Sequence, residues 1–179
     1  LTIEVFDRGP VFGPGLPHNE RLVLPFHVTN MCARDMSVRL GVDGDFHDWV
    51  QDHRATLRPA YPHIAQAHAC PDCRPAACRH FPRGVMGAYL AERFAAAVQR
   101  LRDCGVRIEL WSKTEVESLN VANEGVELTA RREERLRQAS FDVAMLASGH
   151  WFPRSGRPAW FDAPWPARDL LQIPPGETV

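Results

Sequence analysis

The first six residues, Leu1-Thr2-Ile3-Glu4-Val5-Phe6, alternate apolar and polar side chains with a period near two, which predicts a half-buried strand. Gly9 to Pro17 then holds three glycines and three prolines in nine residues, so an irregular, tightly turning loop follows the strand end. Short apolar runs broken by Pro25 fill Leu22 to Ser37, and Asp45-Phe46-His47-Asp48-Trp49-Val50 predicts a short helix with Asp45 as its cap. The clearest helix is predicted over Gly84 to Cys104. There Met86, Leu90, Phe94, Val98 and Leu101 recur at spacings of four or three, and Gly105 stands where a left-handed C-cap belongs. That stripe is expected to lie on a sheet, to which the alternating Val106-Arg107-Ile108-Glu109-Leu110 contributes a strand. A hairpin is predicted next, from Thr114 to Val121 and Gly125 to Ala130, and Arg131 to Arg137 is read as a solvated turn of mixed sign. Phe141-Asp142-Val143-Ala144-Met145-Leu146-Ala147 is nearly all apolar, the mark of a strand buried on both faces in a parallel sheet. It ends in Ser148-Gly149-His150.

The elements alternate between strand and helix, so the fold class expected is α/β. The chain opens on Leu1, inside a strand and without an initiator Met, and closes on the Pro/Gly stretch Ile173 to Val179. An excerpt of a longer protein is therefore expected at both ends. The 179 residues carry 21 basic and 22 acidic side chains, a net charge of -1, which supplies no field to draw nucleic acid or anionic lipid. Forty-five per cent hydrophobic residues argue against disorder, and no run of about 18 apolar residues predicts a membrane span. Five cysteines are neither a disulfide scaffold nor an even set, so a reducing, cytoplasmic setting is expected, with Cys32 and Cys104 as lone packed thiols.

Two places could carry nucleotide chemistry. Asp7 stands at the end of the first strand, before the glycine-rich loop, where a carboxylate can accept hydrogen bonds from ribose hydroxyls. An Asp at a strand end is also an ordinary turn initiator. Ala147-Ser148-Gly149 ends the predicted buried strand, and small residues at a strand's carboxyl end let a ligand or a crossing chain approach the backbone; a plain turn is the competing reading.

Taken together, the motifs resemble the FAD/NAD(P)-binding flavoprotein family of two-dinucleotide-fold oxidoreductases and monooxygenases. The resemblance rests on Val5-Phe6-Asp7-Arg8-Gly9, on Gly13-Pro14-Gly15-Leu16-Pro17-His18, and on Asn30-Met31-Cys32-Ala33-Arg34-Asp35-Met36-Ser37, which is similar to the family's Asn-x-x-Ala-x-x-Met-Ser segment. It continues through Asp45-Phe46-x-x-Trp49, Phe81-Pro82-Arg83-Gly84-Val85-Met86-Gly87-x-Tyr89-Leu90, Asp142 to Gly149 and Pro153. The family's first strand and Gly-x-Gly-x-x-Gly turn would lie before Leu1, and the second such fingerprint after Val179. The resemblance implies a Rossmann-like three-layer fold, mostly parallel with an added β-hairpin layer and incomplete at both ends, forming one partial domain over 1–179. It implies cofactor contacts at Asp7, Arg8, Gly13, Gly15, Asn30, Met36, Ser37, Arg83, Ser148 and Gly149, with Asp7 near the adenosine ribose and the Asn30 to Ser37 segment near the flavin. It further implies FAD as cofactor, NAD(P)H as co-substrate and a small organic substrate, with the flavin carrying the redox chemistry.

A separate cluster lies in a Cys/His-rich insertion at about 59–82. Cys70, Cys73, Cys78 and His80 have the spacing Cys-x2-Cys-x4-Cys-x-His, a donor set that tetrahedral zinc takes. Free side chains in a polar insertion and a Cys70/Cys73 redox pair are the other readings, and His63 or His68 could replace His80. Trp151, Trp160 and Trp165 are read as covering a sheet edge or an interface. The rival to the flavoprotein is therefore a non-enzymatic zinc-stabilised binding module.

Overall fold

The computed structural model describes residues 1–62, 79–123 and 125–149. Cys70, Cys73, Cys78, His63, His68, the Trp151/Trp160/Trp165 cluster, Pro153 and the closing Ile173 to Val179 stretch lie outside the described residues. The described residues divide into two compact units, 1–13 with 94–149, and those between 14 and 93.

In the first unit, β1 (Thr2–Phe6) pairs in parallel with β2 (Arg107–Trp111), Ile3 lying opposite Ile108 and Phe6 opposite Trp111. Parallel neighbours need a long crossover, and α4 (Arg83–Asp103), the predicted helix, leads into β2. It stops at Gly105, whose φ of 80° lets the chain turn out of the helix. The predicted hairpin is present as β3 (Glu115–Ala122) and β4 (Gly125–Arg132). A third antiparallel strand, β5 (Arg135–Phe141), pairs with β4 through a tight reversal at Glu133 and Glu134, so Arg131 to Arg137 is more than a turn. Its sequence hid it. Leu136 falls at one parity and Ala139 and Phe141 at the other, so no period of two marks the strand.

The unit buries Val98, Ile108, Leu128 and Ala130. Beside them Phe6 stacks on Trp111 at 6.1 Å and meets Phe141 edge-on at 6.3 Å. The Arg137 guanidinium lies 4.3 Å above the Trp111 ring and donates to both Glu4 oxygens at 2.6 Å, linking β5 to β1 and β2. Leu101, expected on the buried stripe of α4, is 41% exposed.

The predicted doubly buried strand over Phe141 to Ala147 is absent. Phe141 closes β5, residues 143–149 have no strand, and Val143, Met145 and Leu146 are 82%, 92% and 76% exposed. An apolar run becomes a buried parallel strand only when strands pair along its edges and helices cover its faces. None of the described residues does either.

The second unit holds α1 (Gly15–His18), a single 3-10 turn over Ala33–Asp35, α2 (Asp45–Asp52), α3 (Arg54–Leu57) and the first half of α4. Its core joins Ala33, Phe46, Trp49, Val50, Leu57, Phe81, Val85, Met86 and Tyr89. The first half of the α4 stripe therefore packs on α2 and α3, where a sheet had been expected. Full burial of Phe46, Val85 and Tyr89 contributes roughly 1.5–3 kcal/mol for each large side chain. Gly87 sets how closely α4 passes α1, because a Cβ there would overlap the His18 carbonyl oxygen. Asp45 is not the cap of α2. Gly44 takes that position with φ of 70°, and Asp45 is the first helical residue, 4% exposed, its carboxylate turned inward.

Candidate cofactor site

Asp7 sits one residue past the carboxyl end of β1, and both flanking backbone groups are held. Its N–H donates to the Trp111 carbonyl at 3.0 Å, extending the parallel ladder, and its carbonyl accepts from the Thr114 N–H at 3.0 Å. The Lys113 N–H donates to the Gly9 carbonyl at 2.9 Å, so the strand-to-loop transition is fixed against the β2–β3 connection. The half-buried Asp7 carboxylate accepts from the Gly9 N–H at 2.6 Å through Oδ1. A carboxylate can accept about four hydrogen bonds, so this local bond leaves capacity for further donors. A Cβ on Gly9 would lie 3.0 Å from Oδ1, and its absence keeps the space beside the carboxylate open. An acceptor at the carboxyl end of a parallel strand, with a glycine clearing its flank, fits the two hydroxyls of an adenosine ribose. Arg8 and Gly13 continue the loop and Gly15 opens α1, all three exposed, with φ of 106° at Gly13 and 59° at Gly15.

In the second unit the segment from His27 to Ala33 runs antiparallel to residues 79–83. Val28 bridges Pro82, Thr29 N–H donates to the Phe81 carbonyl at 2.9 Å, and Ala33 N–H donates to the Arg79 carbonyl at 3.0 Å. This pairing brings together two residues predicted separately: Arg83 Nη2 donates to Asn30 Oδ1 at 3.0 Å, while its Nε donates to the Val28 carbonyl at 3.1 Å. Asn30 is exposed and Arg83 half-buried, so the pair presents a cation and an amide at the surface. Met36 is half-buried and its carbonyl accepts from the Phe46 N–H at 3.1 Å; Ser37 folds a local turn, exchanging hydrogen bonds with the Arg39 backbone at 3.0 Å. Ser148 and Gly149 are exposed on the segment without a strand, so they do not end a buried strand as expected.

Two features escaped sequence reasoning. His18 lies beside Arg83. Burial and the Arg83 charge hold its imidazole below the usual value near 6.5, against an opposing hydrogen bond to the Arg83 backbone. Its Nδ1 is buried with no hydrogen-bond partner among the described residues. The other is the set of bonds on Asp45, which receives Tyr89 and Arg93 from one face of α4. The spacing of four between those two residues, which puts them on one helix face, was the available signal, and the predicted stripe of Met86, Leu90, Phe94, Val98 and Leu101 left both out.

His80 donates from Nδ1 to the Thr29 carbonyl at 2.7 Å, and its Nε2 lies 3.9 Å from Cys32 Sγ. Cys32 is disulfide-bonded, which corrects its reading as a lone thiol, and Cys104 is a free thiol that is exposed rather than packed. Among the described residues no group of three His, Cys, Asp or Glu side chains is placed to hold a metal ion. None of the described helices is long and apolar enough to cross a membrane.

A parallel strand pair with a carboxylate at its carboxyl end and a glycine-rich loop beyond is the arrangement of nucleotide-binding α/β proteins. The family model described as FAD-NAD(P)-binding matches residues 1–151, and the chain belongs to that family, whose fold is Rossmann-like α/β. The chain is also 22% identical over 168 residues to the uncharacterized protein YdhS of Escherichia coli (strain K12), a match covering 92% of this chain. It spans 29% of the length of that protein. No solved structure matches the chain.

Proposed function

We propose that this chain is the FAD-binding part of an oxidoreductase that takes reducing equivalents from NAD(P)H and delivers them to a small organic substrate, either directly or with dioxygen as a monooxygenase. Family membership supports the class of cofactor and an oxidoreductase type of role. The observation that carries the reading to particular residues is the Asp7 carboxylate at the carboxyl end of β1, beside the space that Gly9 leaves open. FAD, when bound, supplies the hydride-accepting chemistry. Asp7 accepts hydrogen bonds from the ribose hydroxyls, and Gly13 and Gly15, exposed and without side chains, follow it in the chain. Arg83 offers a cation to a phosphate or flavin oxygen, oriented by its bonds to Asn30 and the Val28 carbonyl. The depressed pKa of His18 keeps its imidazole neutral beside Arg83 at physiological pH.

In this reading the whole of 1–179 is one partial three-layer domain with no nucleic-acid or membrane partner, and the disulfide at Cys32 removes the free-thiol argument for a cytoplasmic setting. Zinc at Cys70, Cys73, Cys78 and His80 stays an expectation of the sequence spacing, and metal analysis of the same preparation tests it. The full-length protein is expected to purify yellow with near-stoichiometric FAD and to bleach on addition of NADH or NADPH. A colourless full-length protein that takes up no added FAD contradicts the proposal.

A further inference from the structure

We infer that Asp45 is a positioning residue for the Asn30 to Ser37 segment, holding its outgoing end at Met36 to Arg39 through Tyr89, Arg93 and Arg39. This rests on the proposed function, with the segment near the flavin as the family resemblance implies, and assigns a group that controls its geometry. The carboxylate lies at the start of α2 and is nearly inaccessible, with 5% of its side chain exposed. Oδ2 accepts from Tyr89 Oη at 2.8 Å and Arg93 Nε at 2.9 Å; Oδ1 accepts from Arg93 Nη2 at 2.9 Å and Arg39 Nη1 at 3.2 Å. The Arg93 guanidinium lies 5.4 Å from the Tyr89 ring centroid, on the ring's face. Tyr89 Oη passes the hold onward, accepting from the Val38 N–H at 3.0 Å while it donates to Asp45. With the bond from Phe46 N–H to the Met36 carbonyl, the segment is fixed at Met36, Val38 and Arg39 by groups on α2 and α4.

Apolar packing cannot do this work at the outgoing end. Met36 packs partly buried against the core, but Val38 is 53% exposed and Leu40 fully exposed, so beyond Met36 the chain has no buried side chain to anchor it. Stability alone is a weak reason for the network, since a buried ion pair is often replaceable by apolar side chains without loss. What the polar cluster supplies is a defined backbone path for an irregular segment, because each bond has direction. The charged groups facing Asp45 are Arg39 from the loop and Arg93 from α4, with the Tyr89 phenol between them.

The test uses the full-length protein and four forms of it: wild type, Tyr89→Phe, Arg39→Gln and, as a control on an exposed face of α2, Asp48→Asn. Three quantities are read: amide hydrogen exchange at Val38, FAD affinity by fluorescence titration, and the visible circular dichroism of bound FAD. Tyr89→Phe keeps the ring in the core but removes the acceptor of Val38 and a donor to Asp45. It is expected to speed exchange at Val38 and to weaken FAD binding by roughly tenfold, with an altered visible dichroism. Arg39→Gln is expected to shift all three the same way by a smaller factor, and Asp48→Asn to match wild type. A Tyr89→Phe protein with lowered melting temperature but wild-type FAD affinity and dichroism shows a merely structural cluster and overturns the inference, as does unchanged exchange at Val38. If Tyr89→Phe fails to fold, Arg39→Gln decides, since the Arg39 side chain is 46% exposed. A wild-type protein that takes up no FAD overturns the proposed function itself and the inference with it, an outcome visible before any variant is made.

Discussion

Two aspartates in the two units use the same carboxylate in opposite ways. Asp7 is half-buried at a strand end, and among the described residues its carboxylate accepts from the Gly9 N–H, two residues along its own loop. Asp45 is almost fully buried and accepts four hydrogen bonds from residues up to 48 positions away. The first keeps unused acceptor capacity beside an open flank, which is what a ligand site needs. The second is saturated by protein groups, which is what a structural tie needs. Position in the fold, and not residue type, separates the carboxylate with spare capacity from the saturated one.

The comparison breaks most sharply on truncation. Asp45→Ala leaves Arg93 without its buried partner and is expected to cost about 3–5 kcal/mol, lowering the melting temperature by on the order of 10 °C in a calorimetric scan. Asp7→Ala is expected to cost under about 1 kcal/mol, since it removes only a local loop bond. Equal losses would mean that the two carboxylates do the same work. Next in size, Gly87→Ala forces a Cβ against the His18 carbonyl and is expected to cost about 1–3 kcal/mol, read by urea unfolding.

How far the sequence revealed these roles follows from where each partner sits. The place of Asp7 at the end of β1 was legible because its signal is local: alternation ends, glycines begin, and the carboxylate stands between them; its contact with a ribose belongs to the proposal. The long helix, its Gly105 stop and the β3–β4 hairpin were legible for the same reason. Asp45 was read as a cap because its neighbours in sequence fit a helix start; its true partners, Tyr89 and Arg93, are 44 and 48 residues on. Arg83 and Asn30 were each singled out, but only the antiparallel pairing of residues 27–33 with 79–83 shows that they touch. The run Val143 to Ala147 went wrong in the opposite direction. Its apolar composition is real, yet composition says what a segment can bury and nothing about whether partners are there to bury it.

Acid titration sharpens the contrast further. Burial pushes the Asp45 carboxyl up, but the hydrogen bonds from Tyr89, Arg93 and Arg39 and the Arg93 charge outweigh that and hold it below the ordinary carboxylate value. A depressed folded-state pKa means stability that is complete above the unfolded value and is lost as pH falls through the folded one. Asp45→Asn is therefore expected to be less stable at neutral pH and to lose less stability than wild type on acidification below about pH 4. His18 gives the smallest effect. Its imidazole is also held low, so the unfolded chain takes up the proton first and stability declines as pH falls through about 6.5. His18→Gln is expected to flatten that part of the stability profile, and an unchanged slope would mean that the imidazole titrates normally in the folded protein.

The most direct test of the central claim is an FAD titration of the full-length protein carrying Asp7→Asn. Asparagine can still accept from the Gly9 N–H, so the loop is kept. Its amide nitrogen, however, presents a donor where a ribose hydroxyl must itself donate. FAD affinity is expected to fall by roughly ten- to a hundredfold with the melting temperature of the apoprotein unchanged. FAD bound with wild-type affinity by that variant would contradict the assignment of Asp7 to the cofactor.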